Sequence, residues 1–120
     1  MTDELAAATR TALIALAREG RCATYRELAA QVPVPPPHSI HRLTLTLEDL
    51  AREDHAAGRP LVSALAVSRA RPGLPGRGFF QLLRELGRYD GPDSGPEAAA
   101  AHSAELQRAL DYWGATSGEG

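Results

Sequence analysis

A run of prolines divides the first half of this chain. Four of the five residues in 33–37 are proline. Proline lacks the backbone N–H that a helix interior uses, and its ring clashes with the preceding turn. The segments on either side therefore belong to separate helices joined by a stiff connector. We predict one helix over residues 24–31, and a second that is capped by Ser39 and ends at Gly58, with Pro60 as a further stop.

Apolar spacing supports helices on both sides of this connector. The helix after the prolines carries an i, i+3, i+7, i+10 pattern, which predicts one buried stripe formed by Ile40, Leu43, Leu47 and Leu50. A first helix is predicted over residues 3–18, with Thr2 as its N-cap and Gly20 just beyond its end. Its apolar positions that share one face are Leu5, Leu13, Leu16 and Ala17.

The segment GRCATYRELAA, residues 20–30, predicts the start of a helix and contains a candidate ligand-binding residue. Thr24 and Glu27 have the spacing of a capping box, in which each side chain satisfies the other residue's backbone N–H. Tyr25 then occupies the first helical position, near the positive end of the helix dipole. A phenol there is well placed to bond a phosphate. The alternative is an aromatic side chain that packs the second helix on the first.

The second half of the chain alternates apolar runs with glycine-rich and proline-rich segments. Residues 61–68, LVSALAVS, predict a strand, and residues 69–78 predict a turn or a wing-like loop. Phe79 and Phe80 are interpreted as the start of a returning strand, followed by helix as far as Gly87. Residues 90–96 have the composition of a linker. A helix is predicted over 97–113, and residues 114–120 should fray as a disordered tail.

This order of elements predicts an α+β protein that is mostly helical. Three helices followed by a β-hairpin form the outline of a winged helix-turn-helix, here with an extra C-terminal helix. We predict a winged-helix domain over residues 1–89, a linker at 90–96 and an acidic helix at 97–113.

The composition of the chain restricts the classes of protein to which it can belong. A chain of 120 residues suits one domain. It contains no apolar run of the ~20 residues that a membrane span needs, and its N-terminus lacks the basic region of a signal peptide. The lone Cys22 cannot form an internal disulfide. These features predict a cytoplasmic protein that does not bind membranes.

Charge is distributed unevenly along the chain. All 13 basic residues are arginine, and residues 18–88 carry eleven of them against seven carboxylates, whereas residues 89–120 carry one against six. A basic middle region predicts duplex DNA as the partner, contacted by the second and third helices and by the arginine-bearing loop. The carboxylates in the second half of the third helix would repel DNA unless they face away from it. The candidate DNA-binding residues are Thr24, Tyr25, Arg26, Ser39, His41, Arg42, Thr44, Arg69, Arg71 and Arg77.

Two segments resemble the winged-helix domain of the O6-alkylguanine DNA alkyltransferases and the alkyltransferase-like proteins. GRCATYRELAAQV followed by PPHSIHRLTLTL is similar to the family's Gly-x-Val-x-Thr-Tyr-x-x-Ile-Ala stretch and its Pro-x-x-x-Arg-x-Val helix, over residues 12–50. The resemblance implies that Tyr25 contacts the DNA backbone at a flipped nucleotide. It places His41 at the position of the family's intercalating Arg, with Arg42 one residue later.

The resemblance ends after the third helix. The alkyltransferases carry a Pro-Cys-His-Arg acceptor loop where this chain has GRPLVSALAVS, residues 58–68. Cys22 precedes the Tyr helix, so it does not match the methyl acceptor. The segments TYRELA and GLPGRGFF also resemble small bacterial proteins that share a TYxELA start and a GLPGxGFF loop.

No sequence pattern indicates an enzyme, a metal site or a cofactor. The four histidines lack metal-ligand spacing, and the PGLPGRG segment lacks the spacing and the lysine of a phosphate-binding loop. A non-enzymatic duplex-DNA-binding protein is therefore the first hypothesis. Two alternatives stay open: a protein-interaction module without nucleic-acid binding, and an alkyltransferase-like DNA-damage sensor. The C-terminal helix could cover the core or form a homodimer interface through Leu106, Leu110 and Trp113.

Overall fold

Five α-helices and one short parallel strand pair make up the protein, here described from a computed structural model that covers residues 4–71 and 73–115. The helices are α1 (Glu4–Glu19), α2 (Tyr25–Gln31), α3 (Ser39–Ala56), α4 (Arg77–Glu85) and α5 (Pro96–Ala115). The strands are β1 (Ala23–Thr24) and β2 (Ala66–Val67), and a 3-10 helix (Val62–Leu65) leads into β2. The protein is thus mostly helical, which is compatible with the predicted α+β class.

The core is built from leucines on α1, α2 and α3 together with the segment that follows α3. Leu13, Leu28 and Leu43 are fully buried, as are Leu65 and Phe80 farther along the chain. α5 packs along α1 and covers the 3-10 helix. The C-terminal helix therefore belongs to the same hydrophobic core as the other four.

The segment predicted as a strand at 61–68 takes another form. It is a 3-10 helix followed by the two residues of β2, which pair in parallel with β1 in the register Ala23 to Ala66 and Thr24 to Val67. All of residues 61–67 are buried. An apolar run of this length fits either a buried strand or a buried helical segment, and periodicity alone does not separate the two.

The predicted strand at Phe79 and Phe80 was wrong, because both residues lie in α4. Phe79, Phe80, Leu82 and Leu83 are its buried positions, a spacing that fits a helix lying on the core. Within residues 4–71 and 73–115, the strands form one parallel pair and no antiparallel hairpin.

The start of α3 also differs from its prediction. Ser39 is the first helical residue, and His38 occupies the N-cap position in a left-handed conformation with φ 59° and no side-chain cap. Of the predicted apolar stripe, Leu43, Leu47 and Leu50 are buried, but Ile40 is 40% exposed. The residue predicted as the first core position of α3 therefore lies at the surface. Thr2, predicted as the cap of α1, and residues 116–120 of the predicted tail lie outside the described residues.

Candidate nucleic-acid interface

The capping box at the start of α2 is confirmed. The Thr24 hydroxyl accepts a hydrogen bond from the Glu27 N–H at 3.1 Å, and the Glu27 carboxylate accepts one from the Thr24 N–H at 2.9 Å. Both side chains are therefore committed to the helix start. Their contribution to a ligand site is to fix the backbone that carries Tyr25 and Arg26.

Tyr25 connects α2 to the loop that precedes α4. Its hydroxyl oxygen accepts a hydrogen bond from the Gly76 N–H at 2.8 Å. A Cβ added at Gly76 would make ordinary van der Waals contact with the ring, at 3.5 Å from a ring carbon. Burial raises the pKa of the Tyr25 phenol, so the hydroxyl keeps its proton at neutral pH. It therefore remains able to donate one hydrogen bond.

A groove joins the starts of α2 and α3 to the loop after β2. It encloses about 170 Å³ and is lined by Tyr25, Arg26, Ile40, Ser68, Arg69 and Ala70. Arg26 and Arg69 are exposed. The structure thus brings together residues from three segments that sequence analysis selected separately. We call this the α2–α3 groove.

The arginines divide into two groups by their ion pairs. Seven of the 13 lie within 4.0 Å of a carboxylate among the described residues: Arg10, Arg21, Arg52, Arg59, Arg84, Arg88 and Arg108. The other six have no such partner in that part of the chain: Arg18, Arg26, Arg42, Arg69, Arg71 and Arg77. Five of these six are candidate DNA-binding residues. Within residues 4–71 and 73–115, the arginines that lack a carboxylate within 4.0 Å thus lie mostly on the candidate segments.

Arg71 differs from the other candidates because it points into the protein. Its guanidinium donates to the carbonyl oxygens of Pro75, at 3.2 Å, and of Asp93, and it stands 5.8 Å above the centre of the Phe80 ring. A side chain held in this way braces the loop against α4 and the segment before α5. Arg71 therefore supports the loop, whereas Arg69 is exposed on it and Arg77 is exposed at the start of α4.

The first turns of α3 hold the remaining candidates. His41 and Arg42 are exposed, and Ser39 is half-buried. The Arg42 Nε donates to the Pro37 carbonyl at 2.9 Å, and the Thr44 hydroxyl donates to the Ile40 carbonyl at 2.9 Å. Thr44 thus bonds its own helix, while the rest of the Arg42 guanidinium stays available to a ligand.

The carboxylates of α3 are paired with arginines. Asp54 is fully buried and bonds Arg10 at 2.8 Å and Arg59 at 3.0 Å, and Glu53 also bonds Arg10. Arg52 stands 3.5 Å from Asp49 and 4.0 Å from Glu48. Each of these negative charges has a cationic neighbour, but Arg52 is shared with Glu85, at 3.0 Å, so the repulsion of DNA by Glu48 and Asp49 is reduced only in part.

The C-terminal helix packs within the chain. Trp113 is 8% exposed and its indole N–H donates to the Pro60 carbonyl at 2.9 Å, while the guanidinium carbons of Arg10 and Arg59 stand 5.3 Å and 5.7 Å from the centre of its ring. Leu106 and Leu110 are half-buried against the core. The three residues predicted as a dimer interface therefore contribute to the intramolecular packing that sequence analysis left as the alternative.

A small cleft that was not predicted from the sequence also has Tyr25 in its lining. The cleft leaves about 20 Å³ of free space, enough for one water molecule. Its wall includes Ser63, which is 4% exposed and whose hydroxyl has no hydrogen-bond partner among the described residues. The lining consists of Tyr25, Thr44, Leu47, Glu48, Ser63, Phe79 and Leu82. The sequence feature that could have indicated this cleft is Ser63, the polar residue within the apolar run 61–67.

Comparison with known proteins gives no relatives: no protein-family model, no curated protein and no solved structure matches this chain. No group of three or more His, Cys, Asp or Glu in 4–71 and 73–115 is arranged to hold a metal ion. Over the same residues, no helix combines the length and hydrophobicity that crossing a bilayer requires.

Proposed function

We propose that this protein is a non-enzymatic binder of duplex DNA that uses the α2–α3 groove and the loop beside it. The observation that carries the proposal is the meeting of Tyr25, the first turn of α3 and Arg69 around one groove. Arg26, Arg42, Arg69 and Arg77 supply guanidinium groups with no carboxylate partner among the described residues. Arginine is well suited to phosphate because its planar fork donates two parallel hydrogen bonds.

The geometry suggests a division of roles. Arg26 and Arg69 border the groove and would contact phosphates on either side of it. The Tyr25 hydroxyl, which still has a proton to donate, would bond a phosphate oxygen. Ser39 and His41, in the first turn of α3, would face the base edges. Because phosphate contacts release condensed counterions, affinity should fall steeply as salt rises.

The test is a fluorescence-anisotropy titration of labelled duplex DNA at several salt concentrations. We expect the wild-type protein to bind, and the double variant Arg26→Ala/Arg69→Ala to bind at least tenfold more weakly. The slope of log K against log salt should become shallower by about 2, since about 0.9 counterions are released per phosphate neutralised. A matched control, Arg18→Ala/Arg108→Ala, removes the same charge from α1 and α5 and should retain most of the affinity. Absence of binding by wild-type protein at low salt and high micromolar concentration would refute the proposal.

A second candidate function is favoured by the cleft beside Tyr25. An alkyltransferase-like damage sensor needs a pocket next to this tyrosine for a base turned out of the duplex. The cleft is mostly apolar and contains the unpartnered Ser63 hydroxyl, which a base could satisfy. Because its free space of about 20 Å³ suits one water molecule, its lining side chains would have to move to admit a base.

Duplexes that differ by a single O6-methylguanine test this second function. A sensor should bind the alkylated duplex at least tenfold more tightly than its unmodified twin. Ser63→Ala should reduce that preference while leaving affinity for the unmodified duplex unchanged. Equal affinity of the wild-type protein for both duplexes would rule out the sensor and leave general duplex binding intact.

A further inference from the structure

Ile40 is an exposed apolar side chain at the centre of the candidate interface. It is one of three large hydrophobic residues, with Leu45 and Tyr112, whose exposure reaches 40% among the described residues. It is the only one of the three that lines the α2–α3 groove. Its apolar spacing with Leu43, Leu47 and Leu50 predicts burial, yet it remains uncovered.

The immediate surroundings of Ile40 combine apolar and cationic residues. Tyr25 and Ala70 line the same groove, together with the exposed Arg26 and Arg69. A ligand that matches this lining presents an apolar group flanked by negative charges. In an undistorted DNA duplex, the major groove offers one such apolar group on its base edges, the C5-methyl of thymine.

We propose that Ile40 recognises thymine through its C5-methyl group in the major groove. The inference rests on the proposed duplex-DNA binding and adds a sequence preference to the same groove. Arg26 and Arg69 hold the phosphates that flank the contacted base pair. The first turn of α3 then places the Ile40 side chain against the methyl group. Ile40 is a specificity residue in this arrangement, and the arginines supply most of the affinity.

The magnitude follows from the area that the contact removes from water. Burying one methyl or methylene group is worth roughly 0.8 kcal/mol, which corresponds to about fourfold in affinity. The phosphate contacts do not depend on that methyl group. Removing it from the DNA should therefore weaken binding by about fourfold per contacted thymine at every salt concentration.

The experiment compares two alternating copolymer duplexes, poly(dA-dT) and poly(dA-dU), which differ by the thymine methyl alone. Competition titrations against a labelled duplex are made with the wild-type protein, Ile40→Ala and Leu45→Ala. Leu45 is the matched control because it is an exposed aliphatic residue on the same helix that does not line the groove. A thermal unfolding curve for each variant verifies that it is folded.

We expect wild-type protein and Leu45→Ala to prefer poly(dA-dT) about fourfold or more, and Ile40→Ala to bind both copolymers equally. Equal wild-type affinity for the two copolymers overturns the proposal. So does an Ile40→Ala variant that retains the preference, or one that loses affinity for both copolymers alike, as a side chain inserted between base pairs would. Failure of the wild-type protein to bind either copolymer contradicts the proposed DNA binding itself, and the role of Ile40 with it.

Discussion

Asp54 is a buried carboxylate that accepts hydrogen bonds from three separate segments of the chain. Its carboxylate is fully buried and accepts hydrogen bonds from Arg10, Arg59 and the Val62 N–H at 2.8 to 3.1 Å. It thereby joins α1, α3 and the start of the 3-10 helix. Both guanidinium groups also stack on the Trp113 ring, which extends the cluster to α5. One carboxylate thus orients three segments and the indole that covers them.

Asp54→Asn should lower the free energy of unfolding by about 3 kcal/mol, because removing one member of a buried ion pair leaves uncompensated charge. Urea unfolding followed by circular dichroism measures the change. The neighbouring Glu53 gives a matched control, since its side chain is 61% exposed and it shares Arg10. Glu53→Gln should change stability by less than about 0.5 kcal/mol. Similar effects of the two substitutions would contradict the central role of Asp54.

We expect His102 to make the stability of the fold depend on pH. It is buried on α5, its Nε2 lies 2.9 Å from the Ala64 carbonyl, and its ring stands edge-on to Phe79. The carbonyl can only accept, so Nε2 carries the proton of the neutral ring. Burial lowers the pKa of this imidazole, partly offset by the Ala64 bond and by Glu105, which both favour the charged form.

The sign of the pH effect follows from linkage. Below about pH 6.5 the unfolded chain binds a proton at His102 while the folded protein does not. The free energy of unfolding should therefore be highest above pH 6.5 and should fall as the pH drops toward the lower folded pKa. Between pH 7.5 and pH 5.5, the free energy of unfolding measured with urea should decrease less for the His102→Gln variant than for the wild-type protein. An identical decline in the two proteins would show that other groups are responsible.

At the scale of elements, the packing of α5 on α1 depends on a glycine. A Cβ added at Gly114 would stand 2.8 Å from the Ala17 carbonyl oxygen, so the two helices approach more closely than any side chain permits. Gly114→Ala should destabilise the protein by about 1 to 3 kcal/mol through this overlap. Ser103→Ala, at an exposed position of the same helix, is the control and should have little effect. Thermal unfolding distinguishes them, and a stabilised Gly114→Ala variant would show that the contact is not tight.

Helix positions were predicted better from the sequence than strands were. The capping box and the stop signals at Gly20 and Gly58 are interactions within a few residues, so they are visible in the sequence. β1 and β2 are only two residues each, and their pairing joins positions about forty residues apart. Such short strands carry no periodicity of their own, and the pairing depends on how the helices pack.

The packing of Trp113 argues against the alternative hypothesis, in which the protein is an interaction module that dimerises through its C-terminal helix. An indole that is buried and hydrogen-bonded within its own chain is not available as an interface anchor. We therefore expect size-exclusion chromatography with light scattering to give a mass near 12.8 kDa at micromolar concentration. A mass that rises with concentration toward twice that value would support a homodimer. Such a dimer would have to form through a surface that does not include Trp113.

The features that could be predicted from the sequence are local: the break at the prolines, the capped start of α2, and the concentration of arginine in residues 18–88. Each depends on the chemistry of residues close together in the chain. Three other features became visible only in the folded protein. Arg71 turns inward, Ser63 is buried with no hydrogen-bond partner for its hydroxyl among the described residues, and Ile40 stays exposed in the groove that Arg26 and Arg69 also line. These outcomes depend on contacts between distant segments, such as the bond between Arg71 and the Asp93 carbonyl, which no local pattern encodes.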